Sequence, residues 1–598
     1  MQRFNLTRQF FRDVWYLTKS YWQSEEKKKA FFLLGCIIAL TLGVVYMLVL
    51  LNQWNNSFYS ALQNYDAKKI FDELIHFSWL AAIYILLAVY SYYLQQTLIL
   101  NWRRWLTTRF IDIWLQNKTY YNLQMFGKDT DNPDQRISED VRQFVEMTLS
   151  FGIGILKAFC TFASFVVILY NLSGSLTFTF MGKTWTINGY MLWASLLYSV
   201  IGTYVTHLVG RKLVKINFIQ QKYEADFRFS MIRLRESAES VAFYRGEAQE
   251  SSVFKLRFKM LLDNFWKLVN KQKQLVFLNS GYSQIAIIFP FVVAMNRYLT
   301  KEVTLGGLMQ VASAFGRVQD SLSYFVDMYS SIAQWQAVVM RLTYFGHHMH
   351  EVSQQAERFH VERFSAADVV EVNDMQINLP DGKPLLENIS FTLHPGHNVL
   401  IKGVSGSGKS TLLRAISGIW PFVDGKIFLP SRDKLMFIPQ KPYLPLGTLR
   451  AALNYPGNKP IDDTELIYLM DLCQIGYLKD KLDLEADWSH VLSVGEQQRL
   501  AFVRAHIQQP QWLFLDEATS ALDNESEYMV SRSLEKLAKG RTTITIAHRL
   551  TTIQGADRIL VLSGSRIVEE GNHEDLLARK GMYYQLYTTA NRLNQGIA

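Results

Sequence analysis

The sequence predicts an α-helical membrane domain with six spans followed by a soluble α/β domain, and three observations carry this prediction. Hydrophobic residues make up 49% of the chain, yet every apolar run long enough to cross a bilayer lies before about Met340. After this point the sequence has the pattern of a soluble α/β protein. It also contains "VLIKGVSGSGKSTLLRAI", a β-type run, a glycine-rich loop and a helical pattern in succession.

The first 30 residues are polar and aromatic. Phe4, Phe11, Trp15 and Leu17 recur near helical spacing, and the aromatic side chains suit a membrane–water boundary. We therefore predict an amphipathic elbow helix within residues 1–30 on the cytoplasmic face, with a soluble helix packed on the globular part as the alternative. The pattern does not resemble a cleavable signal peptide.

The membrane domain is predicted over residues 31–349. Its last span is unusual because it contains Arg317, Gln319, Asp320 and Asp327. Charged side chains are costly in lipid, so this helix is expected to face protein or a water-filled cavity. The six predicted spans are 31–52, 77–100, 150–171, 189–210, 275–297 and 304–330.

Charge in the connections predicts the orientation. The second and fourth connections are long and basic, which puts them and both termini in the cytoplasm. This also accounts for the net charge of +9, and no segment resembles a nucleic-acid-binding module, so no nucleic-acid partner is expected. In the third connection, "LTFTFMGKTWTI" alternates around a turn and predicts an external β-hairpin. The three cysteines have no metal-binding or disulfide spacing.

A polar decamer, "NPDQRISEDV", precedes the third span. Ile137, Val141, Val145 and Leu149 recur every fourth residue and predict a helix that runs into that span. Pro133 suits its first turn, Asn132 can cap it, and Gln135 can bond back to the cap. The polarity of the decamer fits a cytoplasmic tip that docks on a soluble partner.

The glycine-rich loop predicts a nucleotide site in the second domain. Gly403-x4-Gly408-Lys409-Ser410 matches the phosphate-loop spacing between a strand and a helix. Its glycines let backbone N–H groups approach phosphates, the lysine supplies charge at the β- and γ-phosphates, and the serine can reach Mg²⁺. The predicted ATP-binding residues are Gly403, Val404, Ser405, Gly406, Ser407, Gly408, Lys409, Ser410 and Thr411.

A second element, "PQWLFLDEATSALD", follows further along the chain. Trp512 to Leu515 read as a buried strand, which puts Asp516 at its carboxyl end as a Mg²⁺ ligand. Glu517 can then polarise the attacking water.

Between these elements lies "VLSVGEQQRLAFVRA", in which Ser493, Val494 and Gly495 precede a helix start and offer a hydroxyl and N–H groups to an anion. With all three motifs in order, residues 368–590 resemble the ATPase domain of ABC transporters, joined to the membrane domain by a linker at 350–367. The resemblance implies ATP and Mg²⁺ as cofactors and a signature that binds the ATP of the opposite subunit. By this resemblance the signature is Leu492, Ser493, Val494, Gly495 and Glu496.

The same resemblance assigns further roles. It makes Glu517, His548 and Gln440 catalytic, as the carboxylate after the strand, the switch histidine and the Q-loop. It assigns Ser410, Gln440 and Asp516 as the Mg²⁺ ligands. It also identifies the D-loop as Ser520, Ala521, Leu522 and Asp523. Two departures stand out: Val494 and Glu496 replace the common Gly and Gln, and Leu379 occupies the position expected to stack on adenine.

The membrane half is similar to the SbmA/BacA-type and subfamily D (peroxisomal and lysosomal) ABC proteins through "LNWRRWLT", "NKTYYNLQ", "DNPDQRISEDV" and "EADFRFSMIRLRESAESVAFYRGE". This likeness implies an exporter-type fold with long cytoplasmic helical extensions. It also implies coupling helices in the second and fourth loops that sit on the ATPase domains. The predicted coupling residues are Asn132, Pro133, Asp134, Gln135 and Arg136.

One membrane domain and one ATPase domain predict a half-transporter, with a second identical subunit as the simplest partner and the lipid bilayer and a transported solute as the others. No periplasmic binding protein is evident. The polar last span favours uptake of a large hydrophilic cargo, such as cobalamin or peptides, across a bacterial inner membrane with the ATPase in the cytoplasm. The alternatives are transport of fatty acids, acyl-CoA or lipids, an ATP-gated conduit or regulator, and an organellar location.

Overall fold

The computed structural model describes residues 8–126, 132–180, 183–358, 361–364, 369–457, 459–538, 540–547 and 556–594. The chain divides into two compact units. The membrane unit comprises Met1–Ile113 and Asp131–His347, and the ATPase unit comprises Trp114–Thr130 and His348–Ala598. A short segment from the first half of the chain therefore belongs to the second unit.

Helices form almost all of the described chain before Arg358. Five of them, among the described residues, are long and apolar enough to cross a membrane: they begin at Lys27, Ala67, Pro133, Tyr190 and Glu247. The helices are α1 (Arg8–Trp22), α2 (Lys27–Gln63), α3 (Ala67–Leu115), a 3₁₀ turn (Gln116–Lys118), α4 (Thr119–Phe126), α5 (Pro133–Gln135), a π turn (Arg136–Asp140), α6 (Val141–Ser173), α7 (Tyr190–Glu236), α8 (Ala238–Tyr244), α9 (Glu247–Leu299), α10 (Leu305–Asp327) and α11 (Tyr329–Arg358).

The predicted sixth span forms α10, a 23-residue helix. It is not among the five apolar helices, because polar side chains interrupt its apolar runs, so the count of six spans stays a prediction. Val311, Ala314 and Val318 on one face of α10 are buried in a core shared with Phe165 of α6 and Tyr190 of α7. A helix with one apolar stripe packs that stripe against its neighbours, as amphipathicity requires.

The predicted hairpin is present between α6 and α7. Strands β1 (Ser175–Phe180) and β2 (Lys183–Asn188) pair antiparallel, with Thr177 opposite Thr186. Met181 and Gly182 of the predicted turn lie outside the described residues.

The helix predicted from the polar decamer is also present. Ile137, Val141, Val145 and Leu149 are all buried, as their spacing predicts. The predicted capping by side chains was wrong: Asn132 makes no side-chain cap bond, and the Gln135 amide donates instead to Glu139 Oε2 at 3.3 Å. The reason is geometric, because that glutamate lies one helical turn ahead and competes for the amide.

Among the described residues, the ATPase unit contains two large sheets, beside a small antiparallel pair formed by β9 and β10. One is six-stranded, in the order β14-β13-β6-β12-β11-β8, and is parallel except for its edge strand β14; the other has the order β3-β7-β4-β5. The strands are β3 (Val361–Phe364), β4 (Val370–Asn378), β5 (Pro384–Leu393), β6 (Asn398–Gly403), β7 (Val423–Phe428), β8 (Leu435–Ile438), β9 (Gly447–Thr448), β10 (Glu485–Ala486), β11 (Trp512–Asp516), β12 (Thr542–Ile546), β13 (Arg558–Ser563) and β14 (Arg566–Gly571).

The segment predicted as a linker, 350–367, holds the end of α11 and strand β3. The remaining helices of this unit surround the sheets. They are α12 (Lys409–Ser417), α13 (Leu449–Asn454), α14 (Asp463–Leu472), α15 (Trp488–Val491), α16 (Val494–Gln508), α17 (Asn524–Ala538), α18 (His573–Ala578) and α19 (Met582–Asn594), with 3₁₀ turns at Arg432–Lys434 and Gly476–Lys481.

Two hydrophobic cores lie against the large sheet. Leu513 and Leu515 of β11 belong to one core with helices α13, α14 and α16. Trp512 and Phe514 of the same strand belong to the other, which contains α12 and the four-stranded sheet. Alternate side chains of a strand point to opposite faces, so β11 separates the helical core from the core beneath the glycine-rich loop.

Candidate nucleotide site

The glycine-rich loop follows β6, near the middle of the six-stranded sheet, and leads into α12. Gly406 and Gly408 have φ of +81° and +90°, values that side chains rarely tolerate. A Cβ on Gly403 would lie 2.5 Å from the Leu562 carbonyl oxygen. These positions require glycine, which keeps the loop backbone bare in front of the helix N-terminus.

Lys409 lies within this loop rather than in solvent. Its Nζ donates to the carbonyl oxygens of Gly403 at 3.0 Å and Val404 at 2.9 Å. Burial lowers the pKa of Lys409, while the carboxylates of Glu517 and Asp516 act in the opposite direction. A phosphate arriving at the loop would stabilise the buried ammonium, since opposite charge favours the charged form.

Ser410 and Asp516, both predicted as Mg²⁺ ligands, are in contact. The serine hydroxyl donates to Asp516 Oδ1 at 2.7 Å, because the carboxyl ends of β6 and β11 lie at the same edge of the parallel sheet, separated only by β12. A hydroxyl and a carboxylate are the hard oxygen ligands that Mg²⁺ prefers. The buried Oγ of Ser407 has no hydrogen-bond partner among the described residues, so the loop also retains polar capacity for a ligand.

Glu517 has φ of +47°, a conformation uncommon for residues other than glycine. Its N–H donates to the Ile546 carbonyl at 3.1 Å, and the Gln440 amide donates to its Oε2 at 3.2 Å. The backbone and the Q-loop thus hold the carboxylate beyond the end of β11. Strain of this kind concentrates at functional sites.

The predicted switch residue His548 lies outside the described residues. The strand that leads to it, β12, ends beside Lys402, a buried lysine whose Nζ donates to the Ala547 carbonyl at 3.3 Å. Burial, and then the nearby charge of Lys409, lowers the pKa of Lys402 to about 8. Motif spacing gave no indication of this second lysine.

The signature begins α16. Ser493 caps the helix and forms a capping box with Glu496, whose Oε2 accepts from both the N–H and the hydroxyl of the serine at 2.7 Å. Tyr477 also donates its hydroxyl to Glu496. The departure to glutamate therefore organises the signature locally. Ser493 and Val494 are exposed.

Gln498, which the sequence reasoning missed, joins three motifs. Its amide donates to the Gln440 carbonyl at 2.9 Å and to Ser520 Oγ at 3.3 Å, and its Oε1 accepts from the Ala521 N–H at 3.1 Å. The signature helix, Q-loop and D-loop are thus held together through one buried side chain. A Cβ on Gly495 would lie 3.0 Å from the Ala521 oxygen, so the same contact requires a small residue.

The segment 114–126 packs on the ATPase unit, although it precedes the predicted coupling residues. Lys118 Nζ donates to the Gly418 carbonyl at 2.9 Å, and the rings of Phe126 and Phe422 have centroids 4.7 Å apart. The predicted coupling residues, Asn132–Arg136, belong to the membrane unit instead. Their coupling role stays a prediction.

Comparison with known proteins decides the family. Residues 17–299 match the family described as ABC transporter transmembrane region 2, and residues 386–520 match the family described as ABC transporter. The chain is 33% identical, over 92% of its length and 96% of the relative, to the inner membrane ABC transporter ATP-binding protein YddA of Escherichia coli K12. The chain belongs to the ABC transporter family.

Other relatives of this ABC transporter belong to subfamily D. The chloroplastic ABC transporter D family member 2 of Arabidopsis thaliana is 32% identical, over 91% of this chain and 85% of the relative. ATP-binding cassette sub-family D member 3 of Rattus norvegicus is 27% identical, over 83% and 79%. A bacterial Atm1-family ABC exporter with ATP bound shares the fold, with a TM-score of 0.71, 19% identity and coverage of 95% and 99%.

These matches confirm the predicted architecture of a helical membrane region followed by an ABC ATPase domain. The protein is a membrane-bound half-transporter that binds ATP with Mg²⁺ and couples ATP hydrolysis to transport. Half-transporters of this family typically dimerise.

Proposed function

We propose that two identical copies form one transporter that takes up a large hydrophilic solute, such as cobalamin or a peptide, across a bacterial inner membrane. The exposed signature carries the dimer part of this proposal. The signature residue Ser493 caps α16, which packs in one hydrophobic core of the ATPase unit. Lys409 of the phosphate loop begins α12, which packs in the other core. An exposed helix N-terminus suits an anion presented by a second copy.

In the proposed mechanism, Lys409 and the loop N–H groups hold the phosphates, and Ser410 with Asp516 would hold Mg²⁺, which supplies charge neutralisation during phosphoryl transfer. Glu517 accepts hydrogen bonds from a water molecule and orients it for attack. Gln440 positions that carboxylate through its amide. The dimer has two such nucleotide sites. Their closing and opening moves helix α4 of each copy, and this movement drives the exchange between inward- and outward-facing states.

Helix α10 supports a hydrophilic cargo. Arg317 and Asp320 are exposed on one face, whereas Val311, Phe315 and Val318 are buried on the other. Charges at membrane depth belong next to water or protein rather than lipid. A cavity lined by this face would suit a polar solute.

One observation favours the alternative cargo class of acyl chains or lipids. An open groove of about 410 Å³ lies between α2 and α3, and its lining is apolar. Lipid hydrocarbon fits such a lining. The lining residues are Cys36, Ala39, Leu40, Leu86, Leu87, Tyr90 and Leu94.

Transport into vesicles tests the cargo. The protein is reconstituted with ATP and a regenerating system in the lumen, and labelled cobalamin, peptide or acyl-CoA is supplied outside. We expect cobalamin or peptide to accumulate above the outside concentration, and Glu517→Gln, which keeps the side-chain shape, to abolish accumulation. Accumulation of acyl-CoA alone would support the lipid alternative, and dissipation of a preset gradient without accumulation would indicate a conduit.

A further inference from the structure

A buried carboxylate joins two segments of the membrane unit. Asp140 has only 2% of its side chain exposed. It accepts from Arg341 at both oxygens, from Nε at 2.8 Å and from Nη2 at 2.6 Å, and from Arg136 Nη1 at 2.7 Å. A two-pronged guanidinium contact fixes direction as well as distance. We call Arg136, Asp140 and Arg341 the α6–α11 clamp.

The clamp lies near the points where the chain passes between its two units. The chain passes from the membrane unit into the ATPase unit after Ile113 and returns to the membrane unit at Asp131. After His347 it passes into the ATPase unit again and stays in it. Asp140 follows the return and Arg341 precedes the final departure. The clamp therefore ties the segment that comes back from α4 to the helix that leads into the ATPase domain.

Further contacts extend this connection along both helices. Trp335 Nε1 donates to Thr148 Oγ1 at 2.9 Å, and the Trp335 ring meets Phe151 edge-on with centroids 5.5 Å apart. Side-chain contacts thus join α6 and α11 at a second place, through Trp335, two to three helical turns from Asp140 along α6. Two helices that are joined at two places pass a displacement from one to the other, because packed elements shift as bodies.

The clamp also lies in a π turn, Arg136–Asp140. Single π turns within helices are rare and frequent at functional sites. Here the turn brings Arg136 and Asp140 together on the buried side, where a charge without partners would be strongly disfavoured.

We propose that Asp140 is a positioning residue that makes α6 and α11 move as one body, so that ATP-driven displacement of the cytoplasmic ends reaches the far ends of the membrane helices. This inference rests on the proposed dimeric transporter. Without the clamp, the ATPase domains still close on ATP, but the membrane helices follow less often.

The chain offers a matched control. Arg142 pairs with Glu146 at 3.2 Å on the same helix, and both side chains are 42% exposed. An exposed pair of this kind contributes little. Arg142→Gln removes the same charge as Arg341→Gln from a neighbouring position but leaves the buried carboxylate untouched.

Two spin labels separate the two ends of the motion. In a chain whose three cysteines are replaced by alanine, Glu351→Cys reports on α11 at the ATPase side. Lys68→Cys reports on the end of α3 far from Leu115. Each label, used alone, gives the distance between the two copies by pulsed electron resonance in liposomes, with and without ATP and vanadate.

In the unaltered clamp, ATP with vanadate should shift both distances. In Asp140→Asn and Arg341→Gln, we expect the Glu351→Cys distance to shift as before, while the fraction of dimers that shift at Lys68→Cys falls at least fivefold. Arg341→Lys should recover part of the shift, and Arg142→Gln all of it. A purely structural role would not separate the two labels or produce this order of variants.

Two results would overturn the clamp: a full shift at Lys68→Cys in both Asp140→Asn and Arg341→Gln, or an equal defect in Arg142→Gln. If Asp140→Asn does not yield a folded dimer, Arg341→Gln decides alone, since it leaves Asp140 paired with Arg136. Absence of both shifts in the unaltered chain would instead refute the proposed dimeric mechanism, and the clamp with it.

Discussion

Removing the ring of Phe126 should release α4 from the rest of the ATPase unit, to which this helix belongs. This half-buried ring packs on Phe422 with centroids 4.7 Å apart and an interplanar angle of 55°. Full burial of a phenylalanine contributes about 1.5–3 kcal/mol, so half burial contributes about 1 kcal/mol. The aromatic pair adds about 0.5–1.5 kcal/mol. Phe126→Ala should therefore weaken docking by about 2 kcal/mol, or about 30-fold in the docked-to-undocked ratio.

Hydrogen exchange measures this docking directly. Helix α4 has 8 residues, which is too short to persist in water without tertiary contacts. Its amide protection therefore reports its contact with the ATPase unit, and we expect protection over 119–126 to fall about 30-fold in Phe126→Ala.

The conservative variant Phe126→Leu keeps most of the apolar contact and should retain most of the protection. Protection in Phe126→Ala that equals the native value would refute the view that this ring holds α4. The same would follow if Phe126→Leu lost as much protection as Phe126→Ala.

Three further predictions concern other parts of the chain. Glu496→Gln removes a negative charge from the signature, which faces the anionic phosphates of ATP in the proposed dimer. The half-saturating ATP concentration of the ATPase should therefore fall about fivefold, the effect of one screened charge contact. An increase would contradict this. Burial, and then the charge of Arg541, lowers the pKa of His506 from 6.5 to about 4, so the contribution of this residue to stability is complete above pH 6.5 and is lost as the pH falls towards 4. The thermal midpoint of His506→Gln should therefore drop less between pH 7 and pH 5 than that of the native chain. An equal drop would refute this. A Cβ on Gly306 would lie 2.0 Å from the Asn56 carbonyl oxygen, whereas one on Gly316 meets nothing within 4 Å; Gly306→Ala should therefore cost about 1–3 kcal/mol of stability and Gly316→Ala almost none, as thermal midpoints in detergent would show.

Much of the fold could be predicted because local patterns determine it. The four-residue spacing of Ile137, Val141, Val145 and Leu149 predicts their burial, and the apolar run from Trp512 predicts the buried strand that ends at Asp516. The sequence assigns Ser410 and Asp516 to one Mg²⁺ ion, and the structure brings the two side chains into contact, since parallel strands present their carboxyl ends at one edge.

The remainder depends on contacts between residues far apart in sequence. Nothing in "NKTYYNLQMF" indicates that Phe126 packs on Phe422, because an aromatic residue near a helix end fits many surfaces equally well. The three-way role of Gln498 and the burial of Asp140 between two arginines are likewise set by tertiary structure. Choices between competing local partners, as for Gln135, are decided by small differences in geometry.

Mixed dimers test most directly whether each nucleotide site is formed by two copies. In one arrangement, one copy carries Lys409→Ala and the other carries Gly495→Asp, so with shared sites both changes fall in the same site and the other site stays intact. In the second arrangement, one copy carries both changes and the other is native, so each shared site contains one change. Shared sites should trap nucleotide with vanadate in the first arrangement and almost none in the second. Equal trapping in both arrangements, or full ATPase activity in a strictly monomeric particle, would contradict the sharing of sites.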